Sequence, residues 1–522
     1  MSPKATIANT LCGATNLPAY WRFRRALCDP GLAQRQRLRE LLARNSNTAF
    51  GKAHAFDRIS NYEEFSRRVP LVDYAGVESW VDRIRRGEKN ILTAETVTHL
   101  VPTSGSTAAR KLIPFTAGLQ RELNAAIGPW LVDLSLQHPG IMGGPAYWSV
   151  TPALEAKTPE PSAVPIGFDT DAAYLGGIRR KLAEAVMAVP SNVGRKRSME
   201  NFRYETLLHL LRCRELRLIS VWHPSFLTLL LDALPGLWKS LIDDIAKGSG
   251  SRKPLRQRAA ELRCADPGRP ETFWPKLRVI SCWGDAAASI ALQDLRRRFP
   301  NVAIQAKGLI ATESFVTLPF GQHHLLAINS HFFEFIDPDG RIFTAETLRE
   351  GSEYEIAVTT AGGLWRYRLG DRVSVTGFMD KTPSLKFLGR GVDVSDRFGE
   401  KLSESFVNEA LDEIFGHQSP RFALVAPDEQ NGHCGYTLYV EGAAHTDWAE
   451  NLDQILRRNP HYAYCRDLGQ LSRLRLFKVA ENGYERFARR QAIHGSRIGD
   501  IKPKTLSGAP DWSTVFSGKY VT

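Results

Sequence analysis

The most restrictive stretch of this 522-residue chain runs from Leu277 to Ala306. Leu277–Cys282 is a short apolar run, Ser289–Phe299 has helical periodicity, and Val302–Ala306 is a second apolar run. A strand, a helix and a strand in that order are α/β alternation, and so predict an α/β layer. Upstream, Leu32, Leu38, Leu41 and Leu42 share one face of a helix over residues 31–46. Residues 59–92 alternate short helices with Pro-bounded turns, Ile141–Thr170 reads as strand plus loop, and leucine-rich core helices fill Asn201–Ile245. The polar, basic segment Lys247–Arg269 reads as a surface excursion.

Downstream the texture changes twice. From Phe332 to Phe387 it is β-rich: Tyr354, Ile356 and Val358 alternate with Glu353, Glu355 and Ala357, a Gly362-Gly363 turn follows, and Val373 and Val375 alternate again. Past Gly389 come a helix (Leu402–Phe415), strands (Phe422–Val425, Tyr436–Val440), a helix (Asp447–Arg458) and a strand (Leu474–Val479). The expected fold is mixed α/β (α+β): a large N-terminal domain over residues 1–390, with β-sheets packed by helices, and a small mobile α+β domain over residues 391–522.

Composition narrows the function. With 43% hydrophobic and 24% charged residues the chain is an ordinary globular one. No window approaches about 20 apolar residues, so no membrane span is expected. Met1–Ala19 lacks the apolar core of a secretory signal. The seven cysteines form no C-x-x-C pair, which argues against a zinc ribbon or redox dithiol and for buried free thiols in a reducing cytoplasm. The +12 net charge suits nucleic acid, an anionic membrane face or small polyanions. No helix-turn-helix, zinc-finger or ribonucleoprotein motif is present. Residues 389–522 are close to neutral, so the basic excess lies in the large domain and fits small anionic substrates. Neither nucleic acid nor membrane is expected as a partner, and the chain is expected to be a monomer or weak oligomer.

Four blocks carry chemistry. Thr103-Ser104-Gly105-Ser106-Thr107-Ala108-Ala109-Arg110-Lys111 offers hydroxyls, backbone N–H groups and one ammonium to phosphate oxygens, although the same string makes an ordinary surface turn. No G-x-x-x-x-G-K-[ST] loop occurs. Leu309-Ile310-Ala311-Thr312-Glu313 follows a strand, where α/β sheets place their ligands, and its carboxylate suits the Mg²⁺ of a nucleotide or simply solvent. Asp371, closing Trp365-Arg366-Tyr367-Arg368-Leu369-Gly370, suits a pair of ribose hydroxyls or a strand-end ion pair with an arginine. Gly389-Arg390-Gly391-Val392-Asp393, followed by Gly399-Glu400, has the make-up of a pivot.

In this order the four blocks resemble the adenylate-forming superfamily of acyl-CoA synthetases, luciferases and adenylation domains. Within it the chain is most similar to the Gretchen Hagen type of acyl-acid amido synthetase. That likeness is carried by Val69-Pro70-Leu71-Val72-Asp73-Tyr74, Ile84-Arg85-Arg86-Gly87-Glu88, Lys111-Leu112-Ile113-Pro114-Phe115-Thr116, Phe332-Phe333-Glu334-Phe335-Ile336 and the run Tyr367 to Phe378. It spans about Gln34 to Lys504. The resemblance implies a ligase that adenylates a carboxylic acid with ATP and Mg²⁺, then transfers the acyl group to an amine, usually an amino acid. It implies phosphate contacts from Ser104, Gly105, Ser106, Thr107 and Lys111, metal binding by Glu313, and Thr312 near the α-phosphate. It also implies ribose binding by Asp371 with Arg390 assisting, and a C-terminal lysine at Lys502, with Lys504 competing.

Some positions depart from the pattern. Ala108 and Arg110 replace a glycine and a proline, Leu309 stands where an aromatic residue stacks on adenine, and Ala509 where the wider superfamily has its terminal lysine. For the acid, Trp222 and Phe226 are candidate pocket residues, and His223 a candidate base for the amine; all three also suit a plain core. His323-His324 and His331 lack zinc-site spacing. The alternatives are a thioester-forming relative of the acyl-CoA synthetases and a degenerate, non-catalytic ligand-binding member.

Overall fold

The computed structural model describes residues 3–102, 111–149, 162–168, 177–195, 199–222, 224–248, 252–285, 288–390, 394–395, 398, 400, 402–416, 418–430, 433–467, 469–492 and 504–521. The chain divides into two compact units. The first holds Met1–Trp222, Leu229–Trp283 and Asn301–Phe387, the second His223–Thr228, Gly284–Pro300 and Leu388–Thr522.

The first unit carries three sheets. An antiparallel hairpin joins β1 (His99–Pro102) to β2 (Leu112–Phe115). The α/β expectation is met in the second sheet: β3 (Ala146–Trp148), β4 (Leu218–Ser220), β5 (Val279–Trp283) and β6 (Ala303–Lys307) are all parallel, in that order. The helix between β5 and β6 is Ala288–Arg298. The β-rich stretch makes a seven-stranded sheet of β7 (Thr317–Phe320), β8 (His323–Leu326), β9 (Phe332–Ile336), β10 (Ile342–Thr344), β11 (Glu353–Thr359), β12 (Tyr367–Met379) and β13 (Thr382–Arg390). Its strand order is β10-β9-β11-β12-β13-β8-β7.

One apolar cluster ties these parts together. It includes Val101 and Ile113 from the hairpin, Leu309 and Phe315 from the loop after β6, and Tyr367, Leu369 and Val373 from β12. Two buried polar nodes accompany it. Gln34, on the helix Pro30–Asn45, bonds Ile328 O at 2.7 Å, His331 O at 2.8 Å and the Phe333 amide at 2.8 Å, fixing that helix to β9. Arg366 and Glu334 pair at 2.7 Å, both nearly inaccessible, with Tyr62 Oη donating to the same carboxylate at 2.8 Å. Arg366 sits at φ +46°, a left-handed conformation that costs a non-glycine residue about 1–3 kcal/mol. Its further bonds to Ser66 O (2.8 Å) and Val69 O (2.7 Å) hold it there.

In the second unit, β14 (Val394–Ser395) pairs with β15 (Leu402–Ser403), and β16 (Phe422–Gln430), β17 (His433–Glu441), β18 (Arg475–Val479) and β19 (Gly518–Val521) form one sheet. Ala423 and Val425 face one core, with Leu411, Trp448 and Leu452 from the helices Glu404–Phe415 and Asp447–Leu456. Phe422, Leu424 and Ala426 face another, with Phe487 and Trp512. The period of two explains why this strand reads as an unbroken apolar run: both faces are covered.

Three expectations need correction. Leu32 is 47% exposed, although Leu38, Leu41 and Leu42 pack inward as expected; the helix buries a narrower stripe than its leucines suggest. The basic excursion contains the helix Arg256–Arg263, whose Arg258 is buried and bonds Leu211 O (2.8 Å) and Phe273 O (2.6 Å). The aliphatic stem and fork of an arginine let a charged residue stitch the interior. No two cysteines form a disulfide, but the thiols are not uniformly buried: Cys282 and Cys465 are buried, whereas Cys28 and Cys264 are exposed.

Candidate functional site

The phosphate-loop candidate spans the β1–β2 hairpin. Pro102 pairs with Leu112 across its base, and the Leu112 amide donates to Tyr74 Oη at 2.8 Å. Burial pushes the Tyr74 hydroxyl above its ordinary pKa, so it stays a neutral acceptor for that amide. Lys111 is half-buried at the end of the loop. Ser104, Gly105, Ser106 and Thr107, with Ala108 and Arg110, lie outside the described residues.

The second candidate is held by a close approach. At Gly308, directly after β6, an added Cβ would meet Thr317 O at 2.1 Å, so only glycine lets the loop fold back on β7. The return is closed by Leu309 N on Thr317 Oγ1 (2.7 Å) and Ala311 N on Ser314 O (2.9 Å). Glu313, at its tip, is only 6% exposed, and Thr312 is half-buried. Leu309 packs into the main core, so its side chain is engaged there rather than offered to a base.

Asp371 is fully buried within β12, not at a strand end. Between the pairs Glu355↔Arg372 and Ala357↔Arg368 the register shifts, leaving Leu369, Gly370 and Asp371 opposite Ile356. Such a bulge re-aims a side chain, and Gly370 permits it by adopting φ +75°. The neighbouring arginines have acidic partners of their own: Arg366 takes Glu334, Arg368 takes Glu355, and Arg372 takes Glu353.

At the carboxyl ends of the parallel strands lies a cluster the sequence only half disclosed. Trp222, two residues past β4, is half-buried, its ring 5.8 Å from that of Trp283 at the end of β5. Lys307, the last residue of β6, is 4% exposed, with Nζ donating to Val221 O at 2.7 Å and lying 4.7 Å from the Trp222 ring centroid. Burial pulls the Lys307 pKa down to about 7, with Cys282 acting in the opposite direction. Sequence reading passed over Lys307 and Trp283; the available signal was a lysine ending an apolar strand directly before a glycine.

The remaining candidates are dispersed. His331 is structural: the Phe315 amide donates to its Nε2 at 3.1 Å, which places its proton on Nδ1, and Nδ1 donates to the buried Glu122 at 3.0 Å. His324 Nε2 lies 3.0 Å from Ala306 O. Among the described residues no group of three or more His, Cys, Asp and Glu side chains is placed to hold a metal. In the second unit, Phe226 is half-buried on the helix Pro224–Lys247, and Arg390 ends β13. Glu400 is fully buried, accepting from Tyr436 Oη (2.5 Å) and the Phe398 amide (2.7 Å). Lys504 adjoins a pinned segment, where Thr505 N donates to Glu404 (2.8 Å) and Val425 N donates to Thr505 O (2.7 Å). His223 and Lys502 lie outside the described residues.

Comparison with known proteins adds a family context. Residues 19–304, 324–390 and 403–511 match, in turn, the GH3 family N-terminal domain, the GH3 family central domain and the GH3 family C-terminal domain. The chain is 24% identical over 434 residues to indole-3-acetic acid-amido synthetase GH3.4 of Arabidopsis thaliana, covering 74% of this chain and 71% of that protein. It is 23% identical over 404 residues to jasmonoyl–L-amino acid synthetase JAR4 of Nicotiana attenuata, covering 69% of each. Among solved structures it superposes on the GH3.15 acyl acid amido synthetase in complex with 2,4-DB with a TM-score of 0.86, at 16% identity over 97% of this chain and 98% of that one. A 2-hydroxyisobutyryl-CoA ligase in the postadenylation state gives 0.56, at 14% identity over 94% and 92%. At such identities the two structures speak for the fold alone.

Proposed function

The chain belongs to the GH3 family, and from that membership we propose that it is an ATP-dependent acyl-acid amido synthetase. The carboxylate of an acid attacks the α-phosphorus of ATP and releases pyrophosphate. An amine, probed first as an amino acid, then attacks the acyl carbon and releases AMP. A carboxylate is a poor acyl donor until its oxygen becomes part of a leaving group, so the protein's task is to position reactants and neutralise charge.

The observation that carries this reading is the shared support of three motif segments. The hairpin bearing Lys111, the loop bearing Glu313 and the bulge bearing Asp371 are all anchored in one apolar core. A buried bulge aspartate suits ribose hydroxyls, and a buried loop carboxylate suits Mg²⁺, which takes one or two carboxylates and fills its shell with phosphate and water. We assign Ser104, Gly105, Ser106, Thr107 and Lys111 to the phosphates, Thr312 to the α-phosphate, Glu313 to the metal and Asp371 to the ribose. Arg390 and Lys502 are assigned to the ribose and the α-phosphate, Trp222 and Phe226 to the acid, and His223 to the proton of the amine. Mg²⁺ would supply charge neutralisation on the phosphates. The same reading divides the chain at residues 1–390 and 391–522 and places it in the cytoplasm as a monomer or weak oligomer, with neither nucleic acid nor membrane as partner.

A matrix of acids against amino acids, scored for pyrophosphate and AMP release, tests the proposal. An N-acyl amino acid is the expected product. A thioester formed only with coenzyme A would replace the amide reading, and acid-dependent pyrophosphate exchange surviving Glu313→Ala would remove the metal assignment.

A further inference from the structure

Among the described residues, Lys307 is a buried amine on which no carboxylate acts. Its described surroundings include Val221 and Trp222 after β4, Cys282 and Trp283 on β5, and His324 from β8 at the adjacent carbonyl of Ala306. Among the described residues the charge that acts on it is that of Cys282, and no carboxylate does. One carbonyl and one indole face satisfy an amine but not a buried ammonium, whose usual environment includes a counter-ion. The position matters as much as the environment. Ligands of α/β sheets lie outside the carboxyl ends of the strands, and Lys307 ends β6 six residues before Glu313.

We propose that Lys307 is the counter-ion of the substrate carboxylate, and that it takes up a proton as the acid binds. This rests on the reading of the protein as an acid-activating ligase. In the free protein the amine is held against Val221 and Trp222; an arriving carboxylate supplies the missing negative charge, and the pair is stable only with the proton in place. Selection follows: a neutral amide or ester of the same shape offers no charge and gains nothing from Lys307. Free Lys307 titrates near pH 7, so carboxylate affinity is level below pH 7 and weakens above it, until the bound pair itself loses its proton.

Calorimetric titration of the full chain without nucleotide provides the test, in two buffers of different ionisation heat at each pH. Phenylacetate is the first probe and phenylacetamide its neutral isostere; any acid that supports pyrophosphate exchange in the matrix replaces phenylacetate if it binds better. Wild type should take up about half a proton per acid at pH 7 and about one at pH 8.5, with Kd rising about fifteen-fold over that interval. Lys307→Met should take up none and bind at least about ten-fold more weakly at pH 7, while Lys307→Arg, permanently charged, should take up none and show a level profile. A far-UV circular dichroism spectrum and a cooperative thermal melt like those of wild type show that Lys307→Met is folded. Exchange with an acid that binds without proton uptake in wild type overturns the role of Lys307 alone. If no acid supports exchange, the ligase reading falls and the carboxylate assignment falls with it.

Discussion

The first unit buries two basic side chains in different company. Arg366, beside the seven-stranded sheet, is ringed by acceptors: both oxygens of Glu334, the carbonyls of Ser66 and Val69, and Tyr62 closing the carboxylate. Lys307, at the end of the four-stranded parallel sheet, has one carbonyl and one indole as its partners among the described residues. Both are almost wholly inaccessible, at 2% and 4% exposure. A basic group whose counter-charge is built into the fold is part of the scaffold, whereas one left without a carboxylate holds a place for a charge from outside. The pKa values divide likewise. Burial and the nearby Glu334 charge push Tyr62 well above its ordinary range, a closed node that stays in one protonation state, while Lys307 is poised near neutrality.

The largest test of this contrast is Arg366→Met. Removing one partner strands Glu334 in the core, and the expected loss is about 3–5 kcal/mol of stability, read from the urea midpoint of the full chain. A loss below about 1 kcal/mol would mean that the node is not structural. Lys307→Met should move stability the other way. The free-amine pKa of about 10.4 falls to about 7 in the folded chain, so unfolded chains bind a proton that folded ones lack between those values. Wild-type stability therefore rises with pH through that window. The gain from Lys307→Met should be on the order of 4 kcal/mol below pH 7, less the lost bond to Val221, and should vanish by about pH 10.4. Thermal melts of both proteins from pH 6 to pH 10 check the sign and the window.

Smaller changes sharpen the comparison around each site. Gly308→Ala forces a methyl group against Thr317 O, and about 1–3 kcal/mol should be lost, with acid-dependent exchange falling because the Glu313 loop is displaced. A variant of unchanged melting temperature would show that the loop relaxes freely. Trp222→Leu removes the indole face from the Lys307 amine, which should lower its pKa slightly and cost about 0.5–2 kcal/mol of cation stabilisation. The midpoint of the wild-type pH–Kd profile should then move to lower pH, by calorimetry under the same conditions. A midpoint that moves upward would separate the indole from the amine's titration.

Much of this molecule is legible from local pattern. The strand–helix–strand run at Leu277–Ala306 predicts an α/β layer, alternation of Tyr354, Ile356 and Val358 predicts a strand, and four ordered motifs point to the family that three matched domains establish. These are properties of neighbours in the chain, because periodicity and turn chemistry act over a few residues. The candidate site is legible as a list of residue types, but not as environments. Asp371 reads as a strand-end residue until the bulge at Gly370 places it inside β12. Leu309 reads as a substitute for a stacking ring until the core claims it. Leu32 lies about 120° round the helix from Leu38, off the buried stripe, and remains outside.

Lys307 shows most clearly what tertiary structure alone decided. Its carbonyl partner lies 86 positions away in the chain, and its low pKa comes from strands that no local window contains. His331 meets Glu122 across 209 positions, a buried structural bond that no local window discloses. The sequence by itself determined which elements form, in what order, and which chemical groups are available. Folding decided which of those groups are paired, which are buried, and which lack a partner, because burial and charge pairing depend on contacts between distant segments.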